Sequence, residues 1–462
     1  MFRRVLKDFR FWVLLFFVIR LVGVTYPPIE TSHSWRQTFT CMVARNFLEV
    51  DANILYPRID MSGDDSDIVA SEFPFFNWLI FLIARIFGYQ HWYGRLINLV
   101  ISSIGVYCFF LLVKKYFDAR IGFFAGLVLL SSIWFSFSRK IMPDTFSVSL
   151  VITGLFFLSR YLSGGTWFNI FMFLIFSSLG GLSKIPSSVI IALAVIPLLD
   201  KNTGIKRKVI IASALMISIF TIVLWYFYWV PYLLNTYHNQ LYFPKGFIQG
   251  IKELLGLWNW TLDRFSFVAL HSYIALLFFI IGFYYIVKNS EKLILLIFII
   301  TFPVFMFLMI KAGNVFSTHD YYIIPFVPVM ALICGYGLAS IKKINVVYII
   351  VGMIIIEGLA NQHHDFSLKK SELYKVNLEI ISDKICHKDE KIAINGGGNP
   401  EELYYSHRKG WSLNNDEIIS PTFVNRLKTH GCKYLFLDRH SSDKMMNYKI
   451  VYKDDDYIIY KL

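Results

Sequence analysis

The feature that most constrains this chain is a long apolar run that contains no charged side chain. The segment VIIASALMISIFTIVLWYFYWV, residues 209–230, has no alternation of polar and apolar positions. A helix needs about 20 apolar residues to cross a bilayer, whereas the strands of a membrane β-barrel alternate over about ten residues. The whole chain is similar in character, with 56% hydrophobic and 17% charged residues among 462. The sequence therefore predicts an α-helical polytopic membrane protein.

Eleven apolar runs are candidates for transmembrane helices. They are residues 11–27, 96–113, 121–141, 145–162, 168–183, 185–199, 208–230, 268–287, 292–310, 321–340 and 345–361. A further run at 76–88, FNWLIFLIARIFG, is short and is interrupted by Arg85. We expect this run to form an interfacial helix that does not cross the membrane.

The charges between these runs predict an orientation. Cytoplasmic segments of membrane proteins are enriched in Lys and Arg. Such bases precede the first run and recur in alternate connections: Arg3, Arg4, Lys7, Arg10, Lys114, Lys115, Arg120, Lys201, Lys206, Arg207, Lys208, Lys288, Lys292, Lys342 and Lys343. The loop at 28–75 is instead rich in acids. We therefore expect a cytoplasmic N-terminus and an outer 28–75 loop, and the odd number of spans places the C-terminal tail outside as well.

The bases that produce the net charge of +13 cluster at the ends of apolar runs, so this charge does not indicate a nucleic-acid partner. We expect membrane lipids to surround the chain.

The chain is predicted to divide into two domains at the last span. Residues 1–364 form a transmembrane domain, in which 28–92 is an outer loop with interfacial helices. Residues 365–462 form an extracytoplasmic α/β domain.

The tail carries four strand-like runs, with helical patterns between them. These runs are residues 391–396, 433–438, 448–453 and 457–462. The segment NGGGNPEEL, 395–403, favours a tight structural turn over a phosphate-binding one. Cys386 and Cys432 each precede a predicted strand, and both a disulfide and two free thiols are compatible with the sequence.

Polar clusters recur at the predicted outer ends of the spans. The clusters lie within 26–49, 70–79, 136–150, 181–188 and 317–328. Charged groups at a membrane boundary are costly, so their convergence on one side indicates a site. A structural interpretation exists for each cluster taken alone. Asp144 can act as a helix N-cap, Arg139 and Lys140 can extend to the interface, and aromatic residues often form a belt there.

The order of short motifs in these clusters resembles the GT-C glycosyltransferases. The motifs are an acid at Glu30, then WRQ (35–37), ARNF (44–47), YPRID (56–60), EFP (72–74) and SRKIMPD (138–144). The closest branch contains bacterial lipid A aminoarabinose transferases and protein O-mannosyltransferases. The resemblance implies an enzyme in a bacterial inner membrane, a glycosyltransferase that modifies lipopolysaccharide or another envelope glycan. It would transfer a hexosyl or pentosyl group, with inversion, from a polyprenyl-phosphate carrier to a glycan, lipid or protein acceptor.

The resemblance also implies roles for individual residues. The catalytic candidates are Glu30, Asp144 and His33, of which Asp144 matches the family's second acid and His33 is a rival to Glu30 for the first. The family's phosphate-binding lysine is absent from EFP. The donor phosphate would instead be bound by Arg139, Lys184, Arg58, His319 and Tyr322. Trp35, Arg36, Gln37 and Glu72 would position the sugar or the acceptor. A divalent metal ion as cofactor stays open, because no ligand spacing identifies one.

Two other functions remain compatible with the sequence. A transporter or flippase for a lipid-linked glycan would use the same basic cavity without bond chemistry. A glycan ligase would use a diphosphate-linked carrier.

Overall fold

The protein is described by a computed structural model that covers residues 5–240 and 244–462. Within these ranges the α-helices are Phe9–Arg20, Ser34–Glu49, Phe75–Phe87, Tyr93–Tyr116, Ala119–Ser131, Trp134–Phe137, Pro143–Gly164, Trp167–Ser183, Ser188–Ile191, Ile196–Leu199, Ile205–Val223, Val230–Tyr237, Phe247–Gly256, Trp258–Asp263, Tyr273–Lys288, Lys292–Ala312, Asn314–Thr318, Val327–Ala339, Ile344–Asn361, Leu378–Asp383, Glu401–Ser406, Asn415–Ile419 and Pro421–Thr429. Shorter 3₁₀ segments are Ile185–Ser187, Ala192–Val195, Asp320–Phe326, His363–Phe366 and Lys370–Asn377, and π-helical segments are Leu224–Trp229 and Arg264–Val268.

Six helical segments of the described chain are long and apolar enough to cross a membrane. They are Tyr93–Tyr116, Pro143–Gly164, Ile205–Tyr237, Lys292–Ala312, Asp320–Ala339 and Ile344–Asn361. A seventh is the pair Trp258–Val268 and Tyr273–Lys288, which is bent by 88° at its break. Shorter apolar helices coincide with further predicted spans, and the prediction of an α-helical polytopic membrane protein is confirmed.

The predicted span at 121–141 is wrong as a single helix. Its helix ends at Ser131, and a separate short turn follows at Trp134–Phe137. Ser132 has extended backbone torsions, and its hydroxyl donates to the Leu129 carbonyl at 2.7 Å. Serine side chains compete for backbone hydrogen bonds in this way and favour helix ends. The predicted span at 185–199 coincides with the apolar helical segment Ile185–Leu199, which is composed of α and 3₁₀ turns and contains Pro186 and Pro197.

The chain forms two compact units. The first comprises Met1–Val24, Gly94–Tyr228 and Tyr242–Phe366, and the second comprises Thr25–Tyr93, Trp229–Leu241 and Ser367–Leu462. The long first loop thus belongs to the same unit as the tail. The helix predicted at 76–88 is present as Phe75–Phe87. The predicted division of the chain at 364/365, and the sides on which its loops lie, remain predictions.

The tail contains the predicted α/β domain. Its five-stranded sheet has the strand order 410–412, 391–394, 432–438, 457–461 and 449–453. The strands are β3 (Lys391–Ile394), β4 (Gly410–Ser412), β5 (Cys432–Asp438), β6 (Lys449–Lys453) and β7 (Tyr457–Lys461), while β1 (Val69–Ala70) and β2 (Asn239–Gln240) pair separately. Strand β3 runs parallel to β4 and β5, and β7 is antiparallel to β5 and β6. The four predicted strands are confirmed, and β4 was not predicted.

Buried apolar side chains hold the helices of the tail against its sheet. They include Val424 and Leu427 from the helix Pro421–Thr429, and Leu435 and Ile458 from the strands. Cys386 and Cys432 are both buried free thiols, so the free-thiol alternative is the one that the structure has.

Candidate active site

Asp144 lies in the first turn of the helix Pro143–Gly164. Proline at the first helical position fixes the torsion with which this helix starts. The N-cap residue is Met142, and the N-terminus has no side-chain cap, so the interpretation of Asp144 as an N-cap is wrong. Its carboxylate is nonetheless favoured there, because the first turn of a helix carries a partial positive charge. Asp144 is only 4% exposed.

The Asp144 carboxylate has one basic neighbour and one oxygen without a partner. Lys184 Nζ lies 3.5 Å from Asp144 Oδ1. Asp144 Oδ2 is buried and makes no hydrogen bond within the described part of the chain. Lys184 is the C-cap residue of the helix Trp167–Ser183, so the end of that helix positions its ammonium group near Asp144. A buried acceptor is normally satisfied, so an unpaired carboxylate oxygen here points to a ligand.

Aromatic rings surround Lys184. Its Nζ lies 5.2 Å from the ring centre of Tyr321 and 5.8 Å from that of Tyr322. The two tyrosines stack on each other, and the His319 ring meets Tyr321 edge-on at 5.4 Å. Because ring faces attract cations, this arrangement holds the ammonium group without neutralising it. The structure thus brings together four of the predicted site residues: Asp144, Lys184, His319 and Tyr322.

The turn that precedes Asp144 is fixed by Asn98, which the sequence did not single out. The Asn98 amide nitrogen lies 2.9 Å from the carbonyl oxygens of both Phe137 and Lys140 and 3.2 Å from that of Met142. Asn98 Oδ1 in turn accepts from Thr145 Oγ1 at 3.0 Å. Asn98 is fully buried within the helix Tyr93–Tyr116. A lone asparagine within an apolar span was the only signal available.

Lys140 and Arg139 are directed into the protein. Lys140 is fully buried, and its Nζ lies 3.3 Å from Asp365 Oδ1, so the expectation that it extends to the interface is wrong. The Arg139 side chain is also buried, and its guanidinium donates to the Gly23 carbonyl at 2.9 Å and lies over the Phe366 ring. Neither base contacts Asp144 directly in the described contacts. Arg139 as a phosphate ligand stays a prediction.

The second unit holds the other predicted acids. Glu30 is fully buried, and its Oε2 accepts from Gln37 Nε2 at 3.0 Å. The Glu30 backbone pairs with Leu368 of the tail. His33 is half-buried and adopts a left-handed backbone at the start of the helix Ser34–Glu49. Glu30 and Gln37 are therefore in contact, although Glu30 precedes the helix Ser34–Glu49 and Gln37 lies within it.

Arg36 and Glu72 form an ion pair with each other in the second unit. Trp35 stacks on Phe39, and its indole nitrogen donates to the Gly398 carbonyl at 3.1 Å. The NGGG turn of the tail thus contacts the helix that carries the WRQ motif. Arg58 is separate from these residues and lies 3.5 Å from Asp51.

In the described ranges, no group of three or more His, Cys, Asp or Glu side chains lies close enough to hold a metal ion. The acids and the histidine of the first loop, Glu30, His33 and Glu72, form no such group there.

The fold is similar to that of solved membrane glycosyltransferases. Over 97% of this chain and 98% of the other, it matches ArnT from Cupriavidus metallidurans bound to undecaprenyl phosphate, with a TM-score of 0.61 and 11% sequence identity. The apo state of the same protein gives a TM-score of 0.59. The chain has the GT-C fold. The predicted resemblance is confirmed at this level.

A second GT-C protein is also similar, but it is longer. The archaeal oligosaccharyltransferase AglB from Archaeoglobus fulgidus, in complex with an inhibitory peptide and a dolichol-phosphate, has a TM-score of 0.55 and 11% identity. The match covers 93% of this chain and 69% of that one. A family model described as dolichyl-phosphate-mannose-protein mannosyltransferase matches residues 71–229, which include Glu72, Asp144 and Lys184. No curated protein matches the sequence.

Proposed function

We propose that this GT-C protein is an inverting glycosyltransferase that moves a sugar from a polyprenyl-phosphate carrier to an acceptor of the cell envelope. The observation that carries the proposal is the buried Asp144 carboxylate, which has one oxygen unpaired and the other 3.5 Å from Lys184 Nζ. The similarity to ArnT bound to undecaprenyl phosphate and to AglB with a dolichol-phosphate supports a lipid-phosphate donor.

Lys184 is suited to hold the donor phosphate. A phosphate ester leaves with its bonding electron pair on oxygen, so it needs a cation close by and no proton donor. The Lys184 ammonium group is held by neutral tyrosine rings on one side and by a single carboxylate on the other. Tyr322 adjoins it, and His319 contacts the neighbouring Tyr321 ring; both would add donors to the phosphate oxygens.

Asp144 is suited to act on the acceptor. In the proposed step the acceptor oxygen bonds to the anomeric carbon, while the bond from that carbon to the phosphate oxygen breaks. The acceptor proton passes to the carboxylate, a transfer that requires hydrogen-bond distance to the hydroxyl. Glu30, whose Oε2 accepts a hydrogen bond from Gln37, and His33 are the other candidates for this role.

The acceptor is proposed to be a glycan, lipid or protein of a bacterial envelope, modified at the outer side of the inner membrane. The charge pattern supports a site on the outer side, because bases dominate the connections that are predicted to be cytoplasmic. Arg36, Glu72, Trp35 and Gln37 are proposed to position the acceptor or the sugar. Arg58 and Arg139 remain proposed ligands of the donor phosphate.

The test is incubation of the full-length protein in detergent with a panel of polyprenyl-phosphate sugars and candidate acceptors. We expect consumption of one donor and release of polyprenyl phosphate, with the product sugar in the opposite anomeric configuration. The Asp144→Asn variant is expected to lose this activity. An Asp→Asn change at the exposed Asp455 of the tail serves as the matched control.

A parallel translocation assay in liposomes separates a transferase from a flippase. A flippase moves the lipid-linked glycan across the bilayer without breaking its phosphate bond. Two results together would contradict the proposed transfer: the wild type consumes no donor, and Asp144→Asn still translocates the lipid-linked glycan. Release of a polyprenyl diphosphate would instead indicate a ligase with a diphosphate carrier.

A further inference from the structure

The first unit contains a large cavity whose basic side chains are far from Asp144. It has a volume of about 760 Å³ and is lined at its base by apolar side chains that include Ile152, Leu193 and Leu332. Its lining also contains three bases, Lys115, Arg207 and Lys292, of which Lys115 contacts Ser163 and Arg207 contacts Leu162. Asp144 and Ser163 lie near opposite ends of the helix Pro143–Gly164, which separates them by about 28 Å at 1.5 Å per residue. The end of the cavity at Ser163 is therefore far from the candidate active site.

The three bases of this cavity have no acidic partner in the described chain. Lys115 Nζ donates to Ser159 and Ser163 hydroxyls at 2.7 Å, and an Arg207 guanidinium nitrogen donates to the Leu162 carbonyl at 2.8 Å. These partners are neutral oxygens at the C-terminal end of one helix, so they orient the cations without cancelling their charge. Lys292 is exposed and has no hydrogen bond or ion pair to a described residue.

The one acid in the lining is already engaged. The Asp200 carboxylate accepts from the Asn202 backbone at 3.0 Å and from the Thr203 hydroxyl at 3.2 Å, within its own turn. The polar end of the cavity therefore presents an excess of positive charge that is complementary to an anion.

The cavity extends along one helix over about the depth of one lipid leaflet. Its lining runs along the helix Pro143–Gly164 from Ile152 to Ser163. That interval spans about 16 Å of helix. Half of a hydrocarbon core of about 30 Å is of the same length. The cationic end also coincides with the connections that are predicted to be cytoplasmic, where anionic lipids attract Lys and Arg.

We propose that this cavity binds an anionic phospholipid, with one acyl chain between the helices and its phosphate at Lys115, Arg207 and Lys292. The site is independent of the proposed sugar transfer. It would couple the protein to the composition of the leaflet opposite the candidate active site.

The test is a titration of the detergent-purified full-length chain with phosphatidylglycerol, followed by native mass spectrometry. The double variant Arg207→Gln/Lys292→Gln is expected to bind about 30-fold more weakly, since each base near the membrane surface contributes about fivefold. The double variant Lys206→Gln/Lys288→Gln is the matched control, because both lysines are exposed and neither lines the cavity. It removes the same charge and is expected to change the dissociation constant by less than about twofold.

A third variant tests the apolar part and leaves all three bases in place. Leu193→Trp fills the cavity and is expected to abolish phosphatidylglycerol binding while the protein still unfolds cooperatively on heating. Equal losses in the two double variants would overturn the proposal, as would unchanged binding in Leu193→Trp. Competition by glycerol 3-phosphate as strong as that by the intact lipid would show that free phosphate is the ligand and would also contradict it.

Discussion

Lys184 Nζ lies 3.5 Å from Asp144 Oδ1, while the other oxygen of the same carboxylate is buried without a hydrogen bond. The two residues are forty positions apart and come from different helices. A carboxylate beside a lipid phosphate would repel it, so a cation between the two anions is what makes a shared site electrostatically feasible. In the proposed mechanism, Lys184 binds the donor phosphate and Asp144 acts on the acceptor.

Replacement of Lys184 should weaken donor binding. The Lys184→Gln variant is expected to raise the dissociation constant for polyprenyl phosphate by about 10- to 100-fold, because a hydrogen bond to a charged group contributes about 1.5–3 kcal/mol. Lys184→Arg keeps the charge and should retain most of the affinity. The measurement is a binding titration in detergent, and an unchanged constant in Lys184→Gln would place the phosphate elsewhere.

The fully buried Asn98 should stabilise the turn that carries SRKIMPD. Asn98→Ala leaves three backbone carbonyls without their shared donor, and each buried orphan costs about 1–3 kcal/mol. We expect a lower midpoint of thermal unfolding and a reduced rate of transfer. Asn202→Ala is the matched control, since its side chain is exposed on a loop. Equal midpoints for the two variants would show that Asn98 does not hold the turn.

The sequence predicted the membrane class, most spans and four of the five tail strands because each depends on a local pattern. Runs of apolar residues and β-branched alternation are visible without knowledge of the fold. Asn98 and Asp365 were not predicted, because their partners at 137–142 lie distant in the chain and a single polar residue in a span has many explanations. The expectation that Lys140 extends to the interface was wrong for the same reason, because its partner Asp365 is distant in the sequence.

Among the predicted site residues, the sequence identified the ones that the fold gathers around Asp144, but it did not identify their pairings. The polar clusters marked Asp144, Lys184, His319 and Tyr322 as polar residues near span ends. It did not predict that Arg36 and Glu72 form an ion pair, or that Trp35 contacts Gly398. Such contacts depend on the packing of the first loop with the tail in one unit, which no local pattern encodes.

The second unit should be most stable between about pH 4.5 and 6.5. The His407 ring lies 2.6 Å from Glu379 and 2.7 Å from Glu49. Burial lowers the pKa of His407, but the hydrogen bonds to both carboxylates outweigh it and the net pKa is raised above 6.5. The hydrogen bond from His407 lowers the pKa of Glu379 from 4.5 to about 2.

The signs of these shifts set the pH window. The His407 contribution is complete below pH 6.5 and is lost as the pH rises through its raised pKa. The Glu379 contribution is complete above pH 4.5 and is lost as the pH falls through about 2. Hydrogen exchange of β3 and β5 amides, corrected for the intrinsic rate, should accelerate as the pH rises above 6.5. His407→Asn, which tolerates the left-handed backbone there, should remove this dependence, whereas His387→Asn at an exposed position should leave it intact.

The most direct test of the proposed transferase compares donor binding and turnover in Asp144→Asn, measured on the same preparation with the same polyprenyl-phosphate sugar. The substitution keeps the shape of the side chain and removes its charge. We predict a loss of transfer by at least about 100-fold, with donor affinity unchanged or increased because a negative charge beside the phosphate is gone. Full turnover in Asp144→Asn would contradict the account.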